Sequence, residues 1–296
     1  MNNQNKVSVV IPTLNASGRI VRIIEALQDQ TIPPSEILIV DSSSDDGTTD
    51  LLNGIKGIRV KIIDRESFNH GTTRHEALLD TSEDYICFLT DDAIPANKYL
   101  IEELLKPLAD PFVAMVSGRQ LPKEDARRFE QLVRKFNYPD KSNIRTKEDI
   151  EKLGIKAFFA SDACSIYRRS AYLDVGGFIP VNTNEDMYMA ACLLRKGYKV
   201  AYASSAQVLH SHNFSPMQQY KRYRDIGYFI ETHRKLLGGA RVSIEGMSLV
   251  KNVSMRLLKE MQFAELMLFG VDCVARYLGN RAGTKLARLE HPEGLG

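Results

Sequence analysis

The stretch VSVVIPTLN (residues 7–15) decides the fold, because it runs an apolar strand directly into a proline and a polar turn. Residues 17–30 then show the spacing of an amphipathic helix, and a second apolar strand follows over residues 37–40. Short apolar strands that alternate with such helices are typical of a parallel sheet with helices on both faces. The pattern therefore predicts a doubly wound α/β fold.

The alternation of predicted strands and helices continues to residue 120, and the sequence pattern is less regular after it. The further strands predicted in this first part are Val60–Ile63, Tyr85–Leu89 and Val113–Val116, and the further helices are Thr49–Leu52, Thr72–Leu79 and Lys98–Leu108. Later in the chain the pattern predicts helices over 124–135 and 186–196, a polar and mobile excursion over 141–152, strand-like sequence over 157–167, and short strands over 200–203 and 207–209. From Met217 to the end the pattern is mostly helical.

The composition is that of an ordinary globular protein. Apolar residues make up 44% of the 296 residues and charged residues 26%, which excludes disorder, collagen-like repeats and a small disulfide scaffold. A net charge of +2 is too small an excess of basic residues to indicate nucleic-acid binding by the chain as a whole. The four cysteines form no CxxC pair, and we find no apolar signal segment or run long enough to span a bilayer. We therefore expect a cytoplasmic protein.

Unusual polar residues follow the predicted strands at their carboxyl ends. Thr13 and Asn15 follow the first strand, residues 41–43 (Asp-Ser-Ser) the second, residues 64–65 (Asp-Arg) the third, and residues 90–92 (Thr-Asp-Asp) the fourth. In open α/β sheets the ligand sits in the crevice beyond these ends. The sequence therefore predicts a ligand site there.

Two interpretations stay open for the acidic strand ends. Asp41 either stabilises its turn or accepts the N–H of a pyrimidine base. Asp91 and Asp92 repel each other unless a cation neutralises them, and Mg²⁺ commonly binds through such carboxylates together with substrate phosphates. The alternative is that one of the two caps the helix that begins near Pro95.

Later residues carry similar alternatives. Glu185-Asp186 opens a predicted helix, either for dipole reasons alone or as a general base. His210 and His212 share a strand face, although no further ligand lies at a spacing that fits structural zinc. Arg74, one turn into a helix, either binds a phosphate or pairs with Glu66 or Glu76 on the surface.

Four motifs resemble, in order and spacing, those of family 2 inverting glycosyltransferases with the GT-A fold. They are VIPTLN (10–15), IVDSSSDDGT (39–48), LTDDA (89–93) and NED (184–186), and the match extends over residues 6–215. FNHGTTR (68–74), LTDDA and GRQLP (118–122) further resemble bacterial rhamnosyltransferases of O-antigen or cell-wall polysaccharide assembly. The resemblance implies transfer of L-rhamnose from dTDP-L-rhamnose, with a UDP-sugar as the alternative donor, to a hydroxyl of a lipid-linked saccharide at the inner face of the membrane.

The fold implied is a GT-A type α/β fold, with a mostly parallel nucleotide-binding sheet flanked by helices and a helical C-terminal extension. Residues 1–215 would form the catalytic domain, with a donor-binding part over 1–120 and an acceptor-side part over 121–215, and residues 216–296 the helical region. Two other functions are alternatives to an active glycosyltransferase. A sugar-phosphate nucleotidyltransferase would need a glycine- and lysine-rich signature that the first strand lacks. An inactive GT-A scaffold stays open because the Thr90-Asp91-Asp92 motif is degenerate, whereas the retained Glu185-Asp186 argues against it.

The resemblance also implies roles for individual residues. Those matching the nucleotide-sugar pocket are Pro12, Thr13, Asn15, Asp41, Ser43, Arg65, Gly71, Arg74 and Asp91. Asp92 matches the last carboxylate of the DxD metal motif, whose first aspartate is replaced by Thr90, so Mg²⁺ or Mn²⁺ would rest on Asp92 helped by His210 or the diphosphate. Asp186 matches the general base and Glu185 its acidic partner.

The helical tail is both basic and apolar. Residues 241–288 contain eight Lys or Arg against four Asp or Glu, together with many large apolar side chains. One interpretation is a helical pair that packs on the catalytic domain or on a second subunit, as in a homodimer. The other is an interfacial helix that makes a peripheral membrane contact near a lipid-linked acceptor.

Overall fold

The computed structural model of the chain describes residues 6–238 and 243–293, with side chains for all of these except 243–245. The rest of the predicted N-terminal lead-in and of the predicted helical tail lies outside the described residues. The strands are β1 (Val7–Thr13), β2 (Glu36–Asp41), β3 (Arg59–Ile62), β4 (Tyr85–Leu89), β5 (Ile94–Pro95), β6 (Val113–Leu121), β7 (Asn143–Arg145), β8 (Cys164–Arg168) and β9 (Lys199–Leu209). The helices are α1 (Ile20–Gln28), α2 (Thr48–Asn53), α3 (His70–Leu79), α4 (Leu100–Leu105), α5 (Arg128–Asn137), α6 (Asp149–Leu153), α7 (Arg169–Asp174), α8 (Glu185–Lys196), α9 (Pro216–Thr232), α10 (Arg234–Leu237), α11 (Ser243–Lys259) and α12 (Phe263–Glu290).

The strands form one mixed sheet in the order β3-β2-β1-β4-β8-β6-β9-β5, with β7 also paired to β9. The β1–β2, β1–β4 and β2–β3 pairs are parallel, whereas β8 runs antiparallel to both β4 and β6. The α/β fold predicted from the sequence is confirmed, and its parallel part is the group β1 to β4. An apolar run such as residues 113–116 predicts a buried strand but does not indicate the direction of that strand. The sequence pattern therefore groups β6 with the parallel strands, whereas β6 pairs antiparallel with β8.

The chain divides into two compact units. The first comprises residues up to Gln120 together with 139–147 and 159–210, and the second comprises residues 121–138, 148–158 and 211 onward. The whole parallel part of the sheet belongs to the first unit. The division at residue 215 into catalytic and helical regions stays a prediction.

The sequence explains how the first unit positions its strand ends. The strands β1 and β4 are buried along their full length, and Ile20, Ile23, Ile24 and Leu27 form the buried stripe of α1. Helix α3 begins where the Asn69 side chain accepts hydrogen bonds from two backbone N–H groups of the first turn. These elements hold the loops at the carboxyl ends of the parallel strands.

Two local predictions were wrong. The segment 141–152, expected to be a polar excursion, contains β7, which pairs with β9, and the helix α6. The two short strands expected over 200–209 are one continuous strand, β9. In both places the decisive contact is a strand pairing between residues far apart in sequence, which local composition does not encode.

The second unit is helical, and close packing of α9 against α12 dominates it. A Cβ added at Gly279 would lie 2.3 Å from the Tyr220 carbonyl oxygen, and one at Gly283 would lie 1.8 Å from the Arg224 carbonyl oxygen. Glycine is therefore required where the two helices cross. Among the described residues, we find no helix with both the length and the apolar character needed to cross a membrane.

Candidate active site

A cavity of about 290 Å³ lies in the first unit at the carboxyl ends of the parallel strands. It is lined by Pro12, Thr13, Leu14, Arg19, Ser42, Arg65, Phe68, His70, Arg74, Thr90 and Asp91. The polar residues that follow β1, β2 and β4 thus meet at one cavity, as their positions in the sequence indicated.

The residues expected to bind the nucleotide sugar fall into two groups. Pro12, Thr13, Arg65, Arg74 and Asp91 line the cavity. The others (Asn15, Asp41, Ser43 and Gly71) are not among its lining residues and instead hold the surrounding loops.

The Asp41 carboxylate is fully buried and is engaged by its own turn. It accepts hydrogen bonds from the Ser44 backbone N–H at 3.1 Å, the Ser44 hydroxyl at 2.5 Å and the Thr49 hydroxyl at 2.9 Å. Its neighbour Ser42 lines the cavity, whereas Ser43 donates to the Ile63 carbonyl at 2.7 Å. These contacts match the turn-stabilising interpretation of Asp41, and its role in reading a base stays a prediction.

Close approach explains Gly71. A Cβ at this position would lie 1.9 Å from the Ile179 carbonyl oxygen, so α3 can meet the loop before α8 only through a glycine. Asn15 adopts a φ of 50°, and its side-chain oxygen accepts from the Asp45 backbone N–H at 3.1 Å. Positive φ also occurs at Ser43 (53°) and Asn184 (62°), so the loops on both sides of the site carry strained backbone.

Arg74 connects the cavity to the acidic residues that open α8. Its guanidinium lines the cavity, is almost fully buried, and places Nη1 3.2 Å from Glu185 Oε1. The same Nη1 also lies 3.1 Å from the ring nitrogen Nδ1 of His70. Burial lowers the pKa of His70, and the Arg74 charge lowers it further. Neither Glu66 nor Glu76 is the ion-pair partner of Arg74, so the surface-pairing alternative for this arginine is wrong.

Asp186 lies beside Glu185 and opposite another aspartate, Asp162. Its Oδ2 accepts from the Asp162 backbone N–H at 3.2 Å, and its Oδ1 accepts from the Met187 backbone N–H at 2.6 Å. Burial raises the pKa of Asp186 well above the ordinary carboxyl range, and the charges of Glu185 and Asp162 raise it further. The site therefore holds a carboxyl group whose proton affinity suits a base acting nearer neutral pH.

Asp92 and His210 form the second functional pair. Asp92 Oδ1 lies 3.2 Å from His210 Nε2 and accepts from the Thr90 hydroxyl at 2.9 Å. Gln120 donates through Nε2 to Ser161, so its Oε1 accepts from His210 Nδ1–H at 2.8 Å. In the neutral ring the proton therefore sits on Nδ1, and the lone pair lies on Nε2, the nitrogen that faces Asp92.

The pair fits a divalent cation. Adjacent ligands about 2.1 Å from one octahedral ion lie about 3 Å apart, close to the oxygen–nitrogen separation observed here. A histidine that binds a metal commonly donates its other ring N–H to a fixed acceptor, as His210 does to Gln120. The two ligand atoms therefore suit a divalent cation.

The adjacent Asp91 is held differently. Its Oδ2 accepts from Arg19 Nη2 at 3.0 Å and from the Leu14 backbone N–H at 3.1 Å. Burial raises the pKa of Asp91, and Arg19 opposes that rise. Asp91 therefore faces an arginine, and Asp92 is the member of the pair that faces His210.

The sequence did not single out three residues of this site: Arg19, Gln120 and Asp162. Gln120 stands inside the quoted GRQLP motif, but nothing local to it points to His210, which is 90 residues away. Asp162 lies in strand-like sequence after an apolar run, where an unexplained aspartate was the one signal that could have singled it out. Arg19 lies inside the predicted helix over residues 17–30, and no local signal points to its contact with Asp91.

The amino-acid sequence of the chain is similar to those of known proteins. The model of the family described as glycosyl transferase family 2 matches residues 8–176, more than half of the chain. The chain belongs to that family. This family 2 glycosyltransferase is 41% identical to the O-antigen chain rhamnosyltransferase RfbN of Salmonella typhimurium, over 94% of this chain and 89% of RfbN. It is 40% identical to the O-antigen chain rhamnosyltransferase WbaN of Salmonella anatum, over 93% of this chain and 88% of WbaN.

Solved structures confirm the GT-A fold. The mannosyltransferase PcManGT of Pyrobaculum calidifontis, solved with GDP-Man and Mn²⁺, superposes with a TM-score of 0.61 at 13% identity, covering 99% of this chain and 89% of PcManGT. TarS of S. aureus in complex with UDP-GlcNAc superposes with a TM-score of 0.56 at 14% identity, covering 95% of this chain and 92% of that chain. Membership of family 2 excludes the nucleotidyltransferase alternative.

Proposed function

We propose that the chain is an inverting rhamnosyltransferase that transfers L-rhamnose from dTDP-L-rhamnose to a hydroxyl of a lipid-linked saccharide in cell-surface polysaccharide synthesis. The observation that carries the proposal is the Arg74–Glu185 ion pair of 3.2 Å, because it joins the cavity to the acidic residues of α8. The rhamnosyl donor is supported by the O-antigen rhamnosyltransferases RfbN and WbaN, to which the chain is 41% and 40% identical.

In this proposal each residue has one task. The cavity at Pro12, Thr13 and Arg65 takes the nucleotide, and Arg74 approaches the diphosphate. Asp186 removes the proton from the acceptor hydroxyl while that oxygen attacks the anomeric carbon from the face opposite the diphosphate. The bond between that carbon and the diphosphate oxygen breaks, so the configuration inverts and Asp186 carries the proton away. Glu185 holds Arg74 in place.

Asp92 and His210 would hold the divalent cation. When bound, Mg²⁺ or Mn²⁺ neutralises the charge that develops on the departing nucleotide diphosphate. Support comes from the fit of the donor set and from the Mn²⁺ present with GDP-Man in PcManGT.

Calorimetry with Mn²⁺ present tests the donor, comparing dTDP-L-rhamnose with UDP-glucose and UDP-GlcNAc. We expect selective binding of dTDP-L-rhamnose and, with lipid-linked saccharide added, release of dTDP with formation of the opposite anomer, read by NMR. Preference for a UDP-sugar would keep the transferase and reject the rhamnosyl donor. Binding of a donor without any transfer would favour the inactive scaffold.

For the acceptor side we infer that the outer face of α12 docks on an anionic lipid surface at the cytoplasmic side of the membrane. Met267, Val271, Val274, Tyr277 and Leu278 fall on one face of α12 and are 50–75% exposed. Arg281, Lys285 and Arg288 continue the same face.

The charges of α12 are divided between its two sides. Its acidic residues lie on the opposite side and have partners: Glu265 accepts from the Phe129 backbone N–H, Asp272 from Gln219 and Arg276, and Glu290 from the Tyr228 hydroxyl. A second copy of the chain would bring the same cations and no carboxylate from this helix face. An anionic bilayer complements both the apolar and the basic part.

Flotation of the full chain with phosphatidylglycerol vesicles tests this surface. The double variant R281E/K285E should lose binding, whereas K56E, a charge reversal on an exposed lysine of the first unit, should keep it. A stable homodimer that does not float would show that a second copy covers the face and would reject the lipid proposal.

A further inference from the structure

Asp162 is the buried acidic residue to which the proposed reaction gives no task. It lies directly before β8 and is 2% exposed, as deeply buried as Arg74 at 2% and Glu185 at 6%. Its carboxyl Oδ1 accepts from the Tyr167 hydroxyl at 2.7 Å and from the Ser165 hydroxyl. Two hydroxyl donors thus fix this carboxyl in one orientation.

The backbone of the same residue holds the proposed base. The Asp162 N–H donates to Asp186 Oδ2 at 3.2 Å, so one residue brings both a hydrogen bond and a second carboxyl group to Asp186. The other Asp162 oxygen, Oδ2, has no hydrogen-bond partner, nor has Arg74 Nε, and the two atoms lie 4.0 Å apart. The Arg74 charge therefore reaches Asp162 only across a gap, whereas it contacts Glu185 directly.

The charges in this cluster do not balance if every group is ionised. Asp162, Glu185 and Asp186 bring three negative charges, and Arg74 brings one positive charge. His70, which also faces Glu185, gains a proton less readily than a free histidine, because burial and the Arg74 charge lower its pKa. Buried like charges without compensation are costly, so the cluster retains a proton into a pH range where an ordinary carboxyl has lost it.

We propose that Asp162 is a positioning residue that orients Asp186 and, through its own charge, determines at which pH Asp186 becomes a base. The proposal rests on the proposed function of Asp186. The charged and titratable groups around Asp162 and Asp186 come from five elements: Arg74 and His70 from α3, Glu185 from α8, Tyr167 and Cys164 from β8, Cys87 from β4 and Tyr172 from α7. Burial and, after it, the Glu185 charge raise the pKa of Asp162 to about 6.

The test is the pH profile of kcat/KM for Asp162→Asn. Asparagine keeps the backbone N–H and an oxygen for Tyr167 and Ser165 but removes the charge that holds the proton on Asp186. The acid limb should therefore move to lower pH by about one unit or more. A merely structural role would lower kcat/KM equally at every pH, and an acid limb that stays in place overturns the proposal.

Tyr167→Phe provides a second variant in case Asp162→Asn does not fold. Loss of the phenol hydroxyl removes a donor that stabilises the charged form of Asp162, so Asp162 is ionised less and the acid limb should move the same way by a smaller amount. An unmoved limb here would count equally against the proposal. Asp174→Asn, at an exposed aspartate of α7 that pairs with Lys196, should leave the profile unchanged.

A parallel assay of Asp186→Asn separates this proposal from the function on which it rests. If Asp186→Asn still transfers sugar, the assignment of the base is wrong whatever Asp162→Asn does. If Asp186→Asn is inactive and the limb of Asp162→Asn is unmoved, the transferase stands and the role of Asp162 is rejected.

Discussion

Two acidic pairs, Asp91-Asp92 and Glu185-Asp186, look alike in the sequence and differ in what surrounds them. Each member of the first pair faces a basic group: Arg19 lies 3.0 Å from Asp91, and His210 lies 3.2 Å from Asp92. In the second pair Glu185 faces Arg74, whereas the charges acting on Asp186 are those of Glu185 and Asp162, both negative.

The difference teaches that neighbouring charge, and not the acidic motif itself, decides what a carboxyl pair can do. A carboxylate that lies beside a ring nitrogen offers a pair of ligand atoms to a divalent cation, as Asp92 does together with His210. Negative neighbours and burial increase the proton affinity of a carboxyl group, as at Asp186, which suits proton transfer.

The largest expected effect comes from removing one acid of each pair. Asp186→Asn should lower transfer about 10²- to 10⁴-fold while donor binding is kept, because the base is lost and the cavity is not. Asp92→Asn should also lower transfer, but excess Mn²⁺ should restore part of it, since a cation ligand has been weakened. Transfer assays across a Mn²⁺ titration, with donor affinity from calorimetry, measure both.

The prediction depends on the different responses of Asp186→Asn and Asp92→Asn to added Mn²⁺. Rescue of Asp186→Asn by Mn²⁺ would mean that this pair also serves the cation, and the distinction drawn above would fail. Asp174→Asn, an exposed aspartate of the same unit, is the matched control and should transfer at the rate of the unaltered chain.

Much of the fold was predictable because it is local. The strand Tyr85–Leu89 was predicted with its observed bounds, and α2, α3 and α8 begin within two residues of the predicted starts. Short apolar runs and helical spacing are properties of neighbouring residues. Strand direction in the second half of the sheet depends instead on pairings such as Cys87 with Ile166, which join distant segments.

The candidate site was also predictable only where local sequence patterns determine it. Strand ends at Thr13, Arg65 and Asp91 were predicted to meet because parallel strands end at one edge, and they line one cavity. Asp162 lies just before the antiparallel strand β8 and Gln120 lies within β6, and no comparable rule gives the neighbours of residues at these positions. Burial was equally hidden: nothing in the sequence indicates that Arg74 is 2% exposed between two carboxyl groups.

The second prediction concerns stability against pH. The pKa of Asp162 is raised from 3.8 to about 6 by burial and by Glu185, so between these pH values the folded chain binds more protons than the unfolded chain. The contribution of Asp162 to the free energy of unfolding is then greatest below pH 4 and falls as pH rises to 6 and beyond, by about 3 kcal/mol.

Urea unfolding of the chain and of Asp162→Asn at pH 4, 5, 6 and 7 measures this contribution. The variant should gain stability relative to the unaltered chain as pH rises, because asparagine has no charge to desolvate. A constant difference between the two curves would contradict the raised pKa of Asp162 and weaken the contrast with Asp92.

The third prediction addresses the histidine side of the first pair. Gln120→Ala removes the acceptor that fixes His210 Nδ1–H, so the affinity for Mn²⁺ should fall about 10- to 100-fold. Calorimetric titration with Mn²⁺ measures it directly. Gln30→Ala, a glutamine of similar burial that bonds the Ala26 and Asn97 carbonyls, should leave the affinity unchanged. Equal affinities in all three chains would argue against His210 as a ligand.

The smallest effect is expected at the arginine that faces Asp91. Arg19 is partly exposed and donates to the Asp91 carboxylate, to its carbonyl and to the Asn15 carbonyl, so Arg19→Ala should cost about 1 kcal/mol at pH 7. Burial raises the pKa of Asp91 and Arg19 opposes that rise, so without Arg19 the buried carboxylate is costly whenever it is ionised. The loss of stability should therefore be larger at pH 7 than at pH 4, because the raised pKa leaves less of Asp91 ionised at the lower pH. Arg19→Lys keeps the charge and should lose less, and an equal loss at both pH values would show that Arg19 acts through packing rather than through Asp91.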